Sequence, residues 1–189
     1  MGCCYTCNLY DTDSRAQEKL YGNNSQWMKN YLPFLKDKKV IELTFVGSHD
    51  SGTYRCHGLV QDLAICQNIS IKSQLELGIR FLDLRYAAKG KRPKDVWVYH
   101  GPTPSIKFEN ALLEIAYFLK NSPEEFITVK MQQEGKTTVD QKNFIISLLH
   151  KLFSGRMVTS KDKWWNLETV TLGEVLQNKK NLWICADAN

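Results

Sequence analysis

Two of the four histidines in this 189-residue chain stand in settings suited to acid–base chemistry. His49 lies in Gly47-Ser48-His49-Asp50-Ser51-Gly52, and His100 is followed by Gly101-Pro102. Glycine nearby lets the backbone approach a ligand closely. One imidazole can accept a proton from an attacking hydroxyl while the other gives one to a leaving oxygen. Asp83 and Arg85 are two residues apart, so on a strand both side chains emerge from one face. The guanidinium can brace phosphate oxygens as charge builds on them. A carboxylate such as Asp50 or Asp83 beside a histidine fixes its tautomer and stabilises the imidazolium. Together these groups suit phosphodiester cleavage with no metal ion. The blander alternative is that Asp83 and Arg85 form only an ion pair closing one end of a barrel. His57, in a loop, and His150, on an amphipathic helix, read as structural.

The elements that must hold these residues follow from periodicity. Strands are expected over 40–46, 79–86, 96–100, 126–131 and 182–186, with the reactive groups just beyond or at their carboxyl ends. Ser25 is positioned to cap a short helix that Pro33 stops. A second short helix over 70–77 is closed by Gly78, where left-handed backbone is needed. Phe108, Ala111, Leu112, Ile115, Ala116 and Leu119 repeat at helical spacing, as do Phe144, Ile145, Leu148, Leu149 and Leu152 within 139–153. Thr171-x-x-Glu174 has the form of a capping box. Strands alternating with helices argue for an α/β fold with a parallel sheet. About five strands fit, whereas a complete eight-stranded barrel takes about 250 residues. The expected architecture is therefore either an open sheet or an incomplete TIM-type (β/α) barrel with helices outside.

Composition narrows the setting. Hydrophobic residues make up 43% and charged residues 24%, as in an ordinary globular domain, and no apolar run is long enough for a membrane span. The net charge of +5 is dispersed apart from a group at Lys89, Lys91, Arg92 and Lys94, which suits an anionic surface better than a nucleic acid. Residues 1–24 are polar and irregular and read as a tether. Met1-Gly2-Cys3-Cys4-Tyr5-Thr6 fits N-myristoylation at Gly2, with Cys3 and Cys4 as palmitoylation sites and Cys7 as a further candidate. Two acyl chains anchor stably where one holds only marginally. Cys4-x-x-Cys7 as half of a zinc site is the alternative, and it wants a second ligand pair. The expected location is the cytoplasmic face of a membrane, a reducing setting in which Cys56, Cys66 and Cys185 are free thiols.

Four segments together resemble the X domain of phosphatidylinositol-specific phospholipases C. They are Val46-Gly-Ser-His-Asp-Ser-Gly-Thr53, Gln74-Leu-Glu-Leu-Gly-Ile-Arg-Phe-Leu-Asp-Leu-Arg85, Val98-Tyr-His-Gly101 and Phe118-Leu-Lys-Asn-Ser-Pro-Glu-Glu-Phe-Ile-Thr-Val129. Cys66-Gln-Asn-Ile-Ser-Ile71 is further similar to the trypanosome glycosylphosphatidylinositol-cleaving branch. The resemblance implies a barrel of which 25–189 is the N-terminal half, the C-terminal half being absent. It implies His49 as general base on the inositol 2-hydroxyl and His100 as general acid toward the diacylglycerol oxygen. Asp50 would orient His100, and Arg85 would sit against the phosphate with Asp83 in the same site. The Asp-Leu-Arg pattern resembles the bacterial type, in which the guanidinium takes the region of a cation, so no cofactor and no calcium are expected. Bacterial members carry lysines before the glutamate that ends the fourth strand. This chain has Gln132-Gln133-Glu134 there, leaving Lys130 for substrate contact. The family's partner carboxylate for the first histidine comes from strands later than Asn189.

The implied partners are an inositol phospholipid or glycosylphosphatidylinositol, cleaved to diacylglycerol and inositol 1,2-cyclic phosphate, and a membrane surface. Open strand edges also invite self-association. The alternative from a different class is an inactive truncated relative that binds inositol lipids. A metal-dependent glycerophosphodiesterase would want a glutamate-rich cluster, which the Arg85 pattern opposes.

Overall fold

The computed structural model of the chain describes residues 24–59, 61–159, 161–162 and 167–186. Gly2, Cys3 and Cys4, the positions expected to be acylated, lie outside them. Strands are β1 (Gly47–Ser48), β2 (Phe81–Ala88), β3 (Val96–His100), β4 (Thr103–Lys107), β5 (Ile127–Gln133) and β6 (Leu182–Ala186). Helices are α1 (Trp27–Leu35), α2 (Gln61–Ala64), α3 (Ile71–Glu76), α4 (Phe108–Asn121), α5 (Val139–Phe153) and α6 (Leu172–Gln177).

The sheet runs β4-β3-β2-β5-β6. Along one edge β2 pairs in parallel with β5 from Phe81 to Tyr86. Its other edge is shared: β1 takes Phe81 and Leu82 in parallel, and β3 takes Tyr86 to Ala88 antiparallel. The expected all-parallel sheet is thus corrected to a mixed one. β1, β2, β5 and β6 are mutually parallel, while β3 and β4 form an antiparallel hairpin. Gly101-Pro102 makes its two-residue turn, with Gly101 at φ 53°, the positive φ such turns require.

A second correction concerns the chain before His49. Residues 40–46 do not form a strand: Val40–Glu42 is a 3₁₀ turn whose Glu42 carboxylate accepts from Lys39 N–H, and β1 is only Gly47–Ser48. Val40, Leu43 and Phe45 instead pack with Met28, Phe126, Leu172 and Val175 in a cluster at the amino ends of the strands. That cluster plugs the end opposite the histidines.

The helices cover the outer face of the sheet. Leu82 and Leu84 on β2, Val129 and Met131 on β5 and Val98 on β3 pack against Ile71 and Leu75 of α3, Phe108, Leu112, Ile115 and Leu119 of α4 and Ile145 and Leu148 of α5. Period-two alternation then sends Asp83, Arg85 and Lys130 to the inner face. Ser70 caps α3 by accepting from Ser73 N–H, and Gly78 closes it at φ 103°. Thr138 and Thr171 each form a capping box, with Gln141 and Glu174. α1 continues two residues past Pro33. Its first turn is not capped by Ser25; the fully buried Glu125 carboxylate accepts from Met28 and Lys29 N–H and also pairs with Arg80 at 2.6 Å. Among the described residues no helix is long and apolar enough to cross a membrane.

Candidate active site

β1 ends at Ser48, and the chain turns at once through His49 and Asp50. Asp50 takes φ 45°, a left-handed conformation that Asp tolerates better than most residues. The turn is locked from inside. Ser51 N–H donates to the Asp83 carbonyl at 2.8 Å, Asp83 N–H donates to Ser51 Oγ at 2.9 Å, and Thr53 Oγ1 donates to the Asp50 carbonyl at 2.7 Å. Ser48 Oγ bonds both Ser51 Oγ and Gln74 Oε1, tying the turn to α3. The position of Asp50 is therefore set by β2 as much as by its own strand.

Its carboxylate is the hub of the site. Asp50 Oδ2 lies 3.0 Å from His49 Nε2 and 3.7 Å from His100 Nε2, and Oδ1 lies 2.9 Å from Arg85 Nε. In that last contact the N–H is not aimed at the oxygen, and both atoms stay without a hydrogen-bond partner among the described residues. Asp83 Oδ2 lies 3.2 Å from His49 Nδ1 and 3.3 Å from Arg85 Nη2. Sequence reasoning gave Asp50 to His100 and no carboxylate within the chain to His49. The structure gives His49 two carboxylate neighbours, one at each ring nitrogen, and places Asp50 nearer to His49 than to His100.

Burial is the largest influence on Asp50 and raises its carboxyl above the ordinary value, opposed by His49, Arg85 and His100 and reinforced by Asp83. Burial pulls Arg85 down, but Asp50, Asp83 and Glu134 more than offset it, so the guanidinium is held charged. The His49 side chain is 57% exposed and that of His100 33%, against 0% for Asp50. The two imidazoles thus face solvent over a buried carboxylate floor.

Lys130 is the direct neighbour of Asp83 in the parallel register of β2 and β5, which puts it on the same face; its Nζ donates to Gln132 Oε1 at 3.1 Å. Two residues that sequence reasoning did not place here also belong to the rim. Glu134 lies 3.9 Å from Arg85 Nη1 and accepts from Gly101 N–H at 3.1 Å, linking the end of β5 to the turn after His100. Cys66 Sγ lies 3.9 Å from both Asp50 Oδ2 and His100 Nδ1. Glu134 is visible in the sequence as the acid just past the fourth expected strand, but its reach to Arg85 and Gly101 is not. Nothing in the periodicity signals Cys66, which arrives on the segment between α2 and α3. Leu59, just before α2, and Leu63, within it, are exposed, as are Lys89, Lys91, Arg92 and Lys94 at the tip joining β2 to β3.

Comparison with known proteins points to one family and one fold. The model of the phosphatidylinositol-specific phospholipase C X domain matches residues 44–180. The 1-phosphatidylinositol phosphodiesterase of Listeria monocytogenes is 33% identical over 142 residues, covering 72% of this chain and 43% of that protein. Human PI-PLC X domain-containing protein 2 is 30% identical over 128 residues, covering 55% and 42%. The variant-surface-glycoprotein phospholipase C of Trypanosoma cruzi is 24% identical over 136 residues, covering 56% and 36%. Among solved structures, the Listeria monocytogenes phosphatidylinositol-specific phospholipase C superposes with a TM-score of 0.63 at 23% identity, over 87% of this chain and 57% of that one. A mutant of the Staphylococcus aureus enzyme gives 0.66 at 20%, over 93% and 54%. The chain thus spans about half the length of the relatives it matches, and the structural likeness establishes a shared barrel-type fold.

Proposed function

The chain belongs to the phosphatidylinositol-specific phospholipase C X-domain family, and from that premise we propose that it carries the acid–base half of a metal-independent lipid phosphodiesterase. The substrate is phosphatidylinositol or a glycosylphosphatidylinositol. The observation that supports this most is the convergence of His49, His100 and Arg85 on the one buried carboxylate of Asp50.

In this reading Asp83 holds the Nδ1 proton of His49, leaving Nε2 to take the proton of the inositol 2-hydroxyl. The hydroxyl oxygen attacks phosphorus, and Asp50, 3.0 Å from Nε2, stabilises the imidazolium that forms. Arg85 neutralises charge on the phosphoryl oxygens, a role that its own carboxylate neighbours keep pre-oriented. His100 protonates the diacylglycerol oxygen as the bond to phosphorus breaks. The products are diacylglycerol and inositol 1,2-cyclic phosphate, and no cation is required. Lys130 contributes to substrate binding from the neighbouring strand.

The exposed Leu59 and Leu63 and the exposed basic tip at Lys89–Lys94, beyond the carboxyl end of β2, suit an anionic lipid surface. Acylation at Gly2 and Cys3 or Cys4 would hold the chain to the cytoplasmic face of that membrane. His49→Ala and His100→Ala are each predicted to abolish release of inositol phosphate from phosphatidylinositol vesicles. Near-parental turnover in either variant contradicts the assignment. The second reading is an inositol-lipid binding module without turnover. It predicts vesicle binding with no product.

A further inference from the structure

Cys66 has no part in the proton transfers above, yet its thiol sits among them. Its Sγ is 3.9 Å from Asp50 Oδ2, and the ligand atoms of His49, Asp50 and Cys66 all lie within 4.8 Å of one another. His100 touches two of the three, with Nδ1 3.9 Å from the sulfur and Nε2 3.7 Å from Asp50 Oδ2. Nitrogen, oxygen and sulfur donors suit zinc, whose bonds of about 2.0–2.3 Å set ligand–ligand separations near 3.3–3.8 Å in a tetrahedral site, against 3.0 Å for His49–Asp50 and 3.9 Å for Asp50–Cys66 here.

Two further observations point to a cation. His49 Nε2 and Asp50 Oδ2 are 3.0 Å apart while Nδ1 faces Asp83. A neutral imidazole that gives its one N–H to Asp83 presents a lone pair at Nε2, and two acceptors at that separation want a proton or a metal between them. The Asp83–His49 contact is also the carboxylate–histidine arrangement that orients histidine ligands of metals. The charges agree. Asp50, Asp83 and Glu134 face Arg85, with Lys130 turned to Gln132, so carboxylates are in surplus before any substrate phosphate enters.

We propose that His49, Asp50 and Cys66 form an inhibitory zinc site, with His100 as the nearest source of a fourth ligand. On binding, the Cys66 thiol gives its proton to solvent and the thiolate takes the metal. His49 Nε2 is then occupied and cannot act as base. The inhibitory half of this proposal rests on the catalytic reading above; the binding half does not.

The test uses the full chain with Cys3, Cys4 and Cys7 changed to Ser, so that N-terminal thiols do not compete. Zinc chloride is titrated at neutral pH against a chelating dye, without substrate. One tight site per chain is expected. Losing an orienting second-shell group costs about 10–100-fold in affinity, so losing a ligand in Cys66→Ser is expected to cost about 100-fold or more. Cobalt(II) should show a thiolate charge-transfer band that Cys66→Ser abolishes and Cys185→Ser leaves intact. Zinc should also raise the melting temperature of the parent and not of Cys66→Ser, a readout that separates metal loss from misfolding. Binding that is absent in the parent, or undiminished in Cys66→Ser, overturns the proposal. Tight Cys66-dependent binding by a chain that never turns over lipid supports the site and removes the catalytic reading alone. Micromolar zinc should suppress turnover in the parent and EDTA restore it; turnover indifferent to zinc at full occupancy overturns the inhibitory role.

Discussion

Asp50 concentrates the conflict between stability and function at this site. Burial raises its carboxyl above the ordinary value, so the folded chain holds that proton more tightly than the unfolded chain does. The contribution of Asp50 to stability is therefore greatest below the unfolded value of about 4 and is lost as pH rises through the raised folded value. Asp50→Asn removes that titration. Its stability relative to the parent is predicted to increase with pH from about 4 upward, as measured by thermal unfolding, while its turnover falls. A pH-independent difference would contradict the burial account. The residue types of the site were legible because histidine, aspartate and arginine at strand ends suggest one chemistry. Their pairing was not legible: which carboxylate serves which imidazole depends on the left-handed turn at Asp50 and on two hydrogen bonds between Ser51 and Asp83. The sequence points to Cys66 as a thiol without a disulfide, as the structure has it, but nothing in its spacing puts the sulfur beside His100.

The elements were read best where local chemistry decides them. α5 and β6 fall where periodicity puts them, and α3 is capped by Ser70 and closed by Gly78 as their residue types require. Gly78→Ala forces a side chain onto φ 103°, with only ordinary contacts around it, so backbone strain alone is predicted to cost about 1–3 kcal/mol in denaturant unfolding. The β3–β4 hairpin was missed because Pro104 argues against a strand. Pro104 is tolerated because β4 is paired on one side only among the described strands, where a missing N–H breaks no second ladder. Antiparallel β3 nevertheless delivers His100 to the rim, since pairing of Tyr86 with Val98 sets the histidine level with the Asp83–Arg85 segment. Long-range capping was equally invisible. Glu125 serves α1 and Arg80 at once, both fully buried, and Glu125→Ala is predicted to destabilise by about 3–5 kcal/mol because it strands a buried guanidinium.

At the scale of the molecule, β1 and β6 are the barrel strands that no further strand joins among the described residues, and the gap between them is where a barrel of this family would close. Two open parallel edges are predicted to give concentration-dependent self-association in sedimentation velocity; a strictly monomeric chain at high concentration would contradict it. Gly2→Ala is predicted to release the chain from membranes to the soluble fraction, and unchanged membrane retention would remove the acyl anchor. The central claim concerns chemistry rather than placement. Its most direct test is incubation of this chain with phosphatidylinositol vesicles in EGTA, with phosphorus NMR of the water-soluble product. Inositol 1,2-cyclic phosphate formed by the parent and absent from His49→Ala and His100→Ala is the predicted result. Vesicle binding with no phosphate product, or turnover that requires added calcium, would contradict it.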